Sequence, residues 1–308
     1  FDTPLPDDRY TLTISDGVLD PAGNGFDGET NTVEPHAAPA FPSGDSVALG
    51  DFMARFTIDS RPEIGAWCAG SVYVDTNGNF ESDLQNTDAT NRDLTYVLGY
   101  TSDYVLAGNF GGPGADGRFG TADDAAADGF DKLAVYGKVG KQSRWMIDNT
   151  NDGVADLVQY DPANLVGTPV AGDFDRNPAN GDEVGLFTGK EWRLDGNHDF
   201  KVSGSARDIR VKAAHAGLPI AGDFDGDGFV DLATYSNGVF YFDLTKGTPN
   251  GWDGRTDATI TGRFNQFIGV RERPVAADMD GDGVTDVGLW VPDRNGTSST
   301  KNGEWYWL

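Results

Sequence analysis

The chain is poor in several residue types that would otherwise announce a chemistry. Cys68 is the one cysteine in 308 residues, so no intrachain disulfide can form. It sits in the apolar run Ile64-Gly65-Ala66-Trp67-Cys68-Ala69, where the thiol is expected to be a small buried hydrophobe. The three histidines, His36, His198 and His215, are scattered, which argues against a zinc centre. Basic residues are scarce: 23 against 49 acidic ones, for a formal net charge of −26. Such a surface repels phosphate backbones and anionic headgroups, so neither nucleic acid nor a membrane is an expected partner. No run of about 20 apolar residues is present, which excludes insertion as a membrane helix. Apolar residues at i, i+3, i+4 and i+7 are nowhere sustained, so helix is expected to be nearly absent. No nucleophile elbow, paired histidines or phosphate-cradling loop appears, and the chain is expected to be non-catalytic. It opens on Phe1-Asp2-Thr3-Pro4 without an initiator Met or signal sequence, as expected of a processed product or a piece of a longer protein.

What the chain has instead is repetition. Pro169-Val-Ala-Gly-Asp173-Phe-Asp175, Pro219-Ile-Ala-Gly-Asp223-Phe-Asp225 and Pro274-Val-Ala-Ala-Asp278-Met-Asp280 nearly superimpose. Val105-Leu-Ala-Gly-Asn109-Phe110 is a weaker copy and Ala48-Leu-Gly-Asp51-Phe52 a fainter one. The steps from Asp51 through Asn109, Asp173 and Asp223 to Asp278 are 58, 64, 50 and 55 residues. Each copy is followed by a short run such as Val184-Gly-Leu-Phe187 or Leu232-Ala-Thr-Tyr235, then by an aromatic run such as Trp192-Arg-Leu194 or Phe240-Tyr-Phe242. Short alternating runs bounded by Gly, Asn and Asp read as strands. Strands recurring at this period read as propeller blades of about four strands. The expected fold is therefore all-β, a β-propeller of five recognisable blade units, with a tandem β-sandwich as the alternative. The chain stops after Trp305-Tyr-Trp307, which leaves the last blade one strand short.

The chemistry lies in Asp-rich loops. Asp223, Asp225 and Asp227, then Gly228, the carbonyl of Phe229 and Asp231, have the spacing of an EF-hand-type calcium loop opening. Asp278, Asp280, Asp282, Gly283, Val284 and Asp286 repeat it. A hard cation takes six to eight oxygens, and alternate carboxylates on a curling loop converge on one point. The bidentate Glu at position 12 and the flanking helices of an EF-hand are missing. Imperfect copies are Asp173-Phe-Asp175-Arg-Asn177, with an insertion before Asp182 and Glu183; Asp148, Thr150, Asp152, Gly153 and Asp156; and Asp75, Asn77, Asn79 and Asp83, without Gly at position 6. Asp195-Gly-Asn197-His-Asp199 lacks the final acid, and the Asn109 copy is broken by an insertion holding Asp116, Asp123, Asp124, Asp128 and Asp131. Asp-Gly pairs also make plain turns. Repeated at blade spacing, however, several carboxylates per loop call for a neutralising cation, and Ca2+ is the expected one. Loops of this kind bind in the range of extracellular calcium, which favours a location outside the cell or on its surface and overrides the reducing compartment that cysteine scarcity alone would suggest.

At these residues the chain resembles the FG-GAP/VCBS repeat family, the blades of integrin α-subunit propellers and of many secreted bacterial proteins. The resemblance rests on residues 221–231 and 276–286 and on their degenerate copies, and spans about residues 48–308. It implies structural calcium loops. Residues 9–29 resemble the closing strands of a bacterial Ig-like domain, and residues 30–46 read as a linker. The expected organisation is an N-terminal arm, 1–47, followed by a propeller, 48–308. Tyr10-Thr-Leu-Thr-Ile14 alternates like a strand; it is expected to close the last blade after Trp307 or to add to a sheet of a neighbouring copy. The expected function is a structural or adhesive module of a bacterial cell-surface, matrix or filament assembly, with copies of itself, surface glycans or other extracellular proteins as partners. The alternative is a carbohydrate-binding propeller or an accessory domain of a polysaccharide-active enzyme, with Trp252, Trp290, Trp305 and Trp307 as platforms and Trp252 the most exposed of them.

Overall fold

The computed structural model describes residues 8–15, 17–19, 21–25, 28, 50–58, 62–68, 70–76, 78–81, 83–85, 92–119, 121–122, 124–150, 153–203, 205–248, 251–292 and 303–308. The chain divides into two compact units, Phe1–Ile64 with Val74–Leu94, and Gly65–Tyr73 with Thr95–Leu308.

In the first unit, β1 (Asp8–Ile14) pairs antiparallel with β2 (Phe52–Ile58), Asp8 opposite Ile58 and Ile14 opposite Phe52. The alternation at Tyr10–Ile14 does mark a strand, but it does not close the last blade. The partner is the strand that follows the faint repeat at Asp51, so β2 is hydrogen-bonded to β1 rather than to a blade.

Five small antiparallel sheets follow one another as the blades of a five-bladed propeller. The first blade is β3 (Gly65–Cys68), β4 (Ser71–Val74) and β5 (Leu94–Val97). The second is β6 (Tyr104–Gly108), β7 (Lys132–Val139), β8 (Gln142–Asp148) and β9 (Leu157–Asp161). The third is β10 (Thr168–Gly172), β11 (Glu183–Phe187), β12 (Glu191–Leu194) and β13 (Ile209–Lys212). The fourth is β14 (Leu218–Gly222), β15 (Asp231–Ser236), β16 (Val239–Asp243) and β17 (Ala258–Ile260). The fifth is β18 (Arg273–Ala277), β19 (Asp286–Val291) and β20 (Glu304–Trp307), three strands among the described residues. Among the described residues, helix is confined to one 3-10 turn, Asn265–Phe267.

The core lies between successive blades, from the second to the fifth. Trp145 and Ile147 of the second blade pack with Leu186 and Phe200 of the third. Phe174 and Trp192 of the third pack with Leu232 and Trp252 of the fourth. Phe240 and Phe242 of the fourth pack with Val287 and Leu289 of the fifth. The repeated Gly of the Ala-Gly-Asp motif ends the inner strands of the second, third and fourth blades, close to the next blade. A Cβ at Gly222 would fall 2.6 Å from the Thr285 side chain, and one at Gly172 would fall 2.9 Å from Val230. The motif is thus as much a blade-packing signal as a loop signal.

Two expectations fail on burial. Trp252 is only 7% exposed, its indole N–H donates to the Val230 carbonyl at 3.0 Å, and it meets Phe174 edge-on. The Gly-rich loop around it suggested exposure, but the indole fills the gap between two blades. Cys68 is exposed, at the end of the short strand β3, rather than buried.

Candidate metal centres

Each complete blade has two turns at the same end of its antiparallel sheet: an inner turn between its first and second strands, and an outer loop between its third and fourth. The acidic residues gather there.

The inner turn of the fourth blade shows the plan. Asp223 accepts the N–H groups of Gly226 and Asp227 on Oδ1 at 2.8 and 3.1 Å, and that of Gly228 on Oδ2 at 2.7 Å. Gly228 has φ +83°, which a glycine adopts without strain. Asp231 opens β15 directly opposite Gly222. It accepts the N–H of Phe224 at 3.0 Å and that of Thr245 from the outer loop at 2.7 Å. One carboxylate oxygen each from Asp223, Asp225 and Asp231 lies within 4.8 Å of the others. Two oxygens that share an ion at about 2.4 Å are at most about 4.8 Å apart, so this spacing suits a calcium-sized cation. Asp227 stands outside the group; its carboxylate takes the Thr245 hydroxyl at 3.1 Å and the Gly247 N–H. The Phe229 ring lies under the Arg176 guanidinium, 4.3 Å away, and its N–H donates to Asp227.

The fifth blade repeats the turn with a different trio. Asp278 accepts the N–H groups of Gly281, Asp282 and Gly283, and Asp278, Asp280 and Asp282 bring their oxygens together. Asp286 stands outside that trio, accepting the Met279 N–H at 3.0 Å, and the Val284 N–H donates to Asp282 at 2.8 Å.

In the third blade the insertion does not break the site. Glu183 is paired opposite Gly172, the register position of Asp231 and Asp286, and joins Asp173 and Asp175 in one group. It accepts the N–H groups of Phe174 and Asp175 at 2.8 and 2.9 Å, and meets His198 Nδ1 at 3.0 Å. Asn177 contributes its N–H to both Asp173 and Asp175. Sequence spacing hid Glu183, since the extra residues push it past position 9; the first residue of the second strand is the signal that finds it. The second blade places Lys132 at that same position, opposite Gly108, and Asn109 where the others have Asp. Lys132 is buried and donates to Asp128 at 2.6 Å and to the Phe130 carbonyl at 2.7 Å.

The outer loops share a second plan. Asp75, Asp148, Asp195 and Asp243 stand at the end of the third strand of their sheets or just after it; in the three-stranded first blade the corresponding strand is β4. Asp93, Asp156, Asp208 and Asp257 stand just before the final strand. In three loops the N–H five residues on returns to the first acid: Phe80 to Asp75 at 2.6 Å, Gly153 to Asp148 at 2.8 Å, and Phe200 to Asp195 at 2.7 Å. Phe80 and Phe200 have φ +61° and +54°, so these loops hold non-glycine residues in the conformation that Gly was expected to supply. Asp156 accepts the Asn149 N–H at 2.8 Å, with the Thr150 hydroxyl at 3.4 Å. Asp83 accepts the Asn79 amide, while its own N–H donates to Asp93 at 2.6 Å. Asn77 and Asp152 lie outside the described residues. Asp195, Asp199 and Asp208 form a fourth three-carboxylate group, which the sequence left incomplete because Asp208 is thirteen residues downstream of Asp195.

No family model matches the chain, and no curated protein matches it significantly. The reading of the loops therefore stands on their geometry.

Burial and crowding of like charges raise the acids. Burial lifts Glu183 to about 9, with Asp175 and Asp173 adding to it against the N–H donors, and lifts Asp195 to about 8. Burial likewise takes Asp231 and Asp243 to about 6. Carboxyls held this far above their ordinary range are groups that a bound cation would return to the ionised form. Oxygen-only groups of this kind suit hard divalent cations rather than soft metals.

Proposed function

We propose that the chain is a non-catalytic, calcium-stabilised propeller acting as a structural or adhesive module outside the cell, in a surface, matrix or filament assembly. The observation that carries this is the set of four three-carboxylate groups distributed over three successive blades. An acidic frame held shut by cations suits a compartment where calcium is abundant, since sites of this class work near 10⁻⁴–10⁻³ M. Among the described residues no helix is long and apolar enough to cross a membrane. The open edge of the fifth blade supports an adhesive role. β20 borders its sheet, and no described strand pairs beyond it. Its Trp305 and Trp307 rings lie parallel at 6.4 Å and half-buried, a surface suited to one more strand from a partner chain. The lectin reading loses its main candidate with the burial of Trp252.

Sedimentation of the intact chain in millimolar calcium and in chelator tests the proposal. Calcium-dependent self-association, or calcium-dependent capture of an added β-strand peptide at β20, supports it. A strictly monomeric chain whose melting curve ignores calcium rejects it.

A further inference from the structure

We propose that a cavity beside the third blade binds a primary ammonium group carried on a short aliphatic stem, held by Asp124, Asp175, Asn180, Asn197 and His198. Asp175 belongs also to an inner-turn group, but the cavity needs no metal there.

Three stretches of chain build the walls. The insertion of the second blade supplies Ala122 and Asp124, the inner turn of the third supplies Asp175, Ala179 and Asn180, and its outer loop supplies Asn197, His198 and Arg207. The space they enclose is about 370 Å³. One water molecule takes about 30 Å³, so the cavity has room for an organic group rather than a bare ion. Backbone bonds hold the insertion in place, from Gly111 N–H to Asn180 O at 2.9 Å and from Ala127 N–H to Ala179 O at 3.0 Å.

Three polar atoms of these walls are buried and have no hydrogen-bond partner among the described residues: Asn180 Oδ1, Asn197 Oδ1 and His198 Nε2. His198 is the most telling, because the residue is only 1% exposed. Its Nδ1 lies 3.0 Å from Glu183 Oε1, and Glu183 is not part of the wall. An ionised Glu183 takes the ring N–H on that side and leaves Nε2 an acceptor. Asn180 donates through Nδ2 to Asp175 Oδ2 at 3.1 Å, which fixes the sense of its amide and leaves the carbonyl oxygen spare. Buried polar atoms are costly to leave unpaired, so this set marks a place where an outside group donates.

The spare atoms also fix the class of ligand, since all three accept. The wall adds two carboxylates, Asp124 and Asp175, against one base, the exposed Arg207. A hydroxyl brings acceptor lone pairs along with its donor, whereas an alkylammonium brings three N–H donors, no acceptor and a positive charge. The methyl groups of Ala122 and Ala179 leave apolar wall for the stem. A lysine side chain of a partner protein and a free aliphatic diamine share this chemistry.

Calorimetric titration of the full chain in millimolar calcium tests this with four probes: cadaverine, Nα-acetyl-lysine methylamide, and the neutral counterparts pentanediol and Nα,Nε-diacetyl-lysine methylamide. The two ammonium probes are expected to bind at one site, and the neutral ones at least about ten-fold more weakly, because charge-assisted hydrogen bonds are roughly twice as strong as neutral ones. Tighter binding of cadaverine identifies the ligand as a free diamine, and tighter binding of the lysine derivative identifies it as a partner's lysine. Asn197→Ala should weaken the ammonium probes about three- to ten-fold. Ala122→Trp, at an exposed position of the insertion, is expected to fold normally and to block the site. No binding of either ammonium probe, equal binding of pentanediol, or binding that survives Ala122→Trp overturns the proposal. Ammonium binding in a chain whose melting curve ignores calcium keeps this site and removes the calcium reading instead.

Discussion

The inner turns of the second and fourth blades share a register and differ in the sign of the charge that closes them. Asp231 faces the end of its inner strand, where burial, with Asp225 and Asp227 adding to it, raises it to about 6. Lys132 occupies the identical position in the second blade and is satisfied by Asp128 and the Phe130 carbonyl. One turn carries its own cation on a side chain; the other gathers carboxylate oxygens that could hold a cation from solution. If the proposed calcium binds, the two turns are alternative ways of placing positive charge at one register position. The second blade also carries a long insertion after Asn109. That insertion docks by backbone pairing, Gly111 N–H to Asn180 O at 2.9 Å and Ala127 N–H to Ala179 O at 3.0 Å, onto the inner turn of the third blade.

Removing calcium is the widest test of that contrast. A site held at a hundred-fold excess over its Kd contributes about 2.7 kcal/mol, so chelation of several occupied loops is expected to lower Tm by roughly ten degrees or more, with calcium restoring it better than magnesium. Scanning calorimetry with and without chelator reads this; superimposed curves would break the comparison. Next in size, Lys132→Met is expected to destabilise by about 1–3 kcal/mol by removing hydrogen bonds to a buried charge, equally with and without calcium. Asp225→Ala should instead destabilise only when calcium is present. The crossed result, Lys132→Met sensitive to calcium and Asp225→Ala indifferent, would show that the two turns are not alternatives.

The pH dependence is smaller and has a definite sign. Glu183, Asp195, Asp231 and Asp243 titrate higher in the folded chain than the ordinary carboxylate range near 4. The folded state therefore binds more protons than the unfolded one between about pH 4 and 9. Metal-free protein should lose stability steadily as pH rises through that window, and calcium should flatten the slope by ionising the acids in the folded state. Denaturant midpoints at pH 5, 7 and 9 in chelator measure it; a midpoint that rises with pH contradicts it. Val166→Ala, at a side chain 74% exposed just before β10, should stay within about 0.5 kcal/mol under all conditions. Asp257 is no such control, because it closes an outer loop by accepting the Leu244 N–H at 3.0 Å and pairing with Lys246.

The repeat period, the all-β class, five blades and the two regular loops at Asp223 and Asp278 could be read from the residues alone. Blades are local structures, and each prints its turn chemistry and its alternation on a short stretch of chain. Glu183, Asp208 and Asp93 could not be read that way. Each reaches its loop from across an insertion or from the base of the last strand, and contiguous spacing carries no record of that return. Trp252 and Cys68 misled for a related reason: a Gly-rich neighbourhood or an apolar run sets local conformation, while burial depends on what the adjoining blade covers.

Sequence by itself therefore determined where this protein turns, where its strands run and which stretches concentrate oxygen ligands, because those properties belong to neighbours along the chain. The tertiary structure decided which oxygens converge. Strand pairing sets Glu183, Asp231 and Lys132 at one register position in three blades, and convergence over a few ångströms is a property of pairing rather than of order. It also decided that β1 pairs with β2. A strand's alternation declares that its backbone groups need a partner without saying which other strand will supply them.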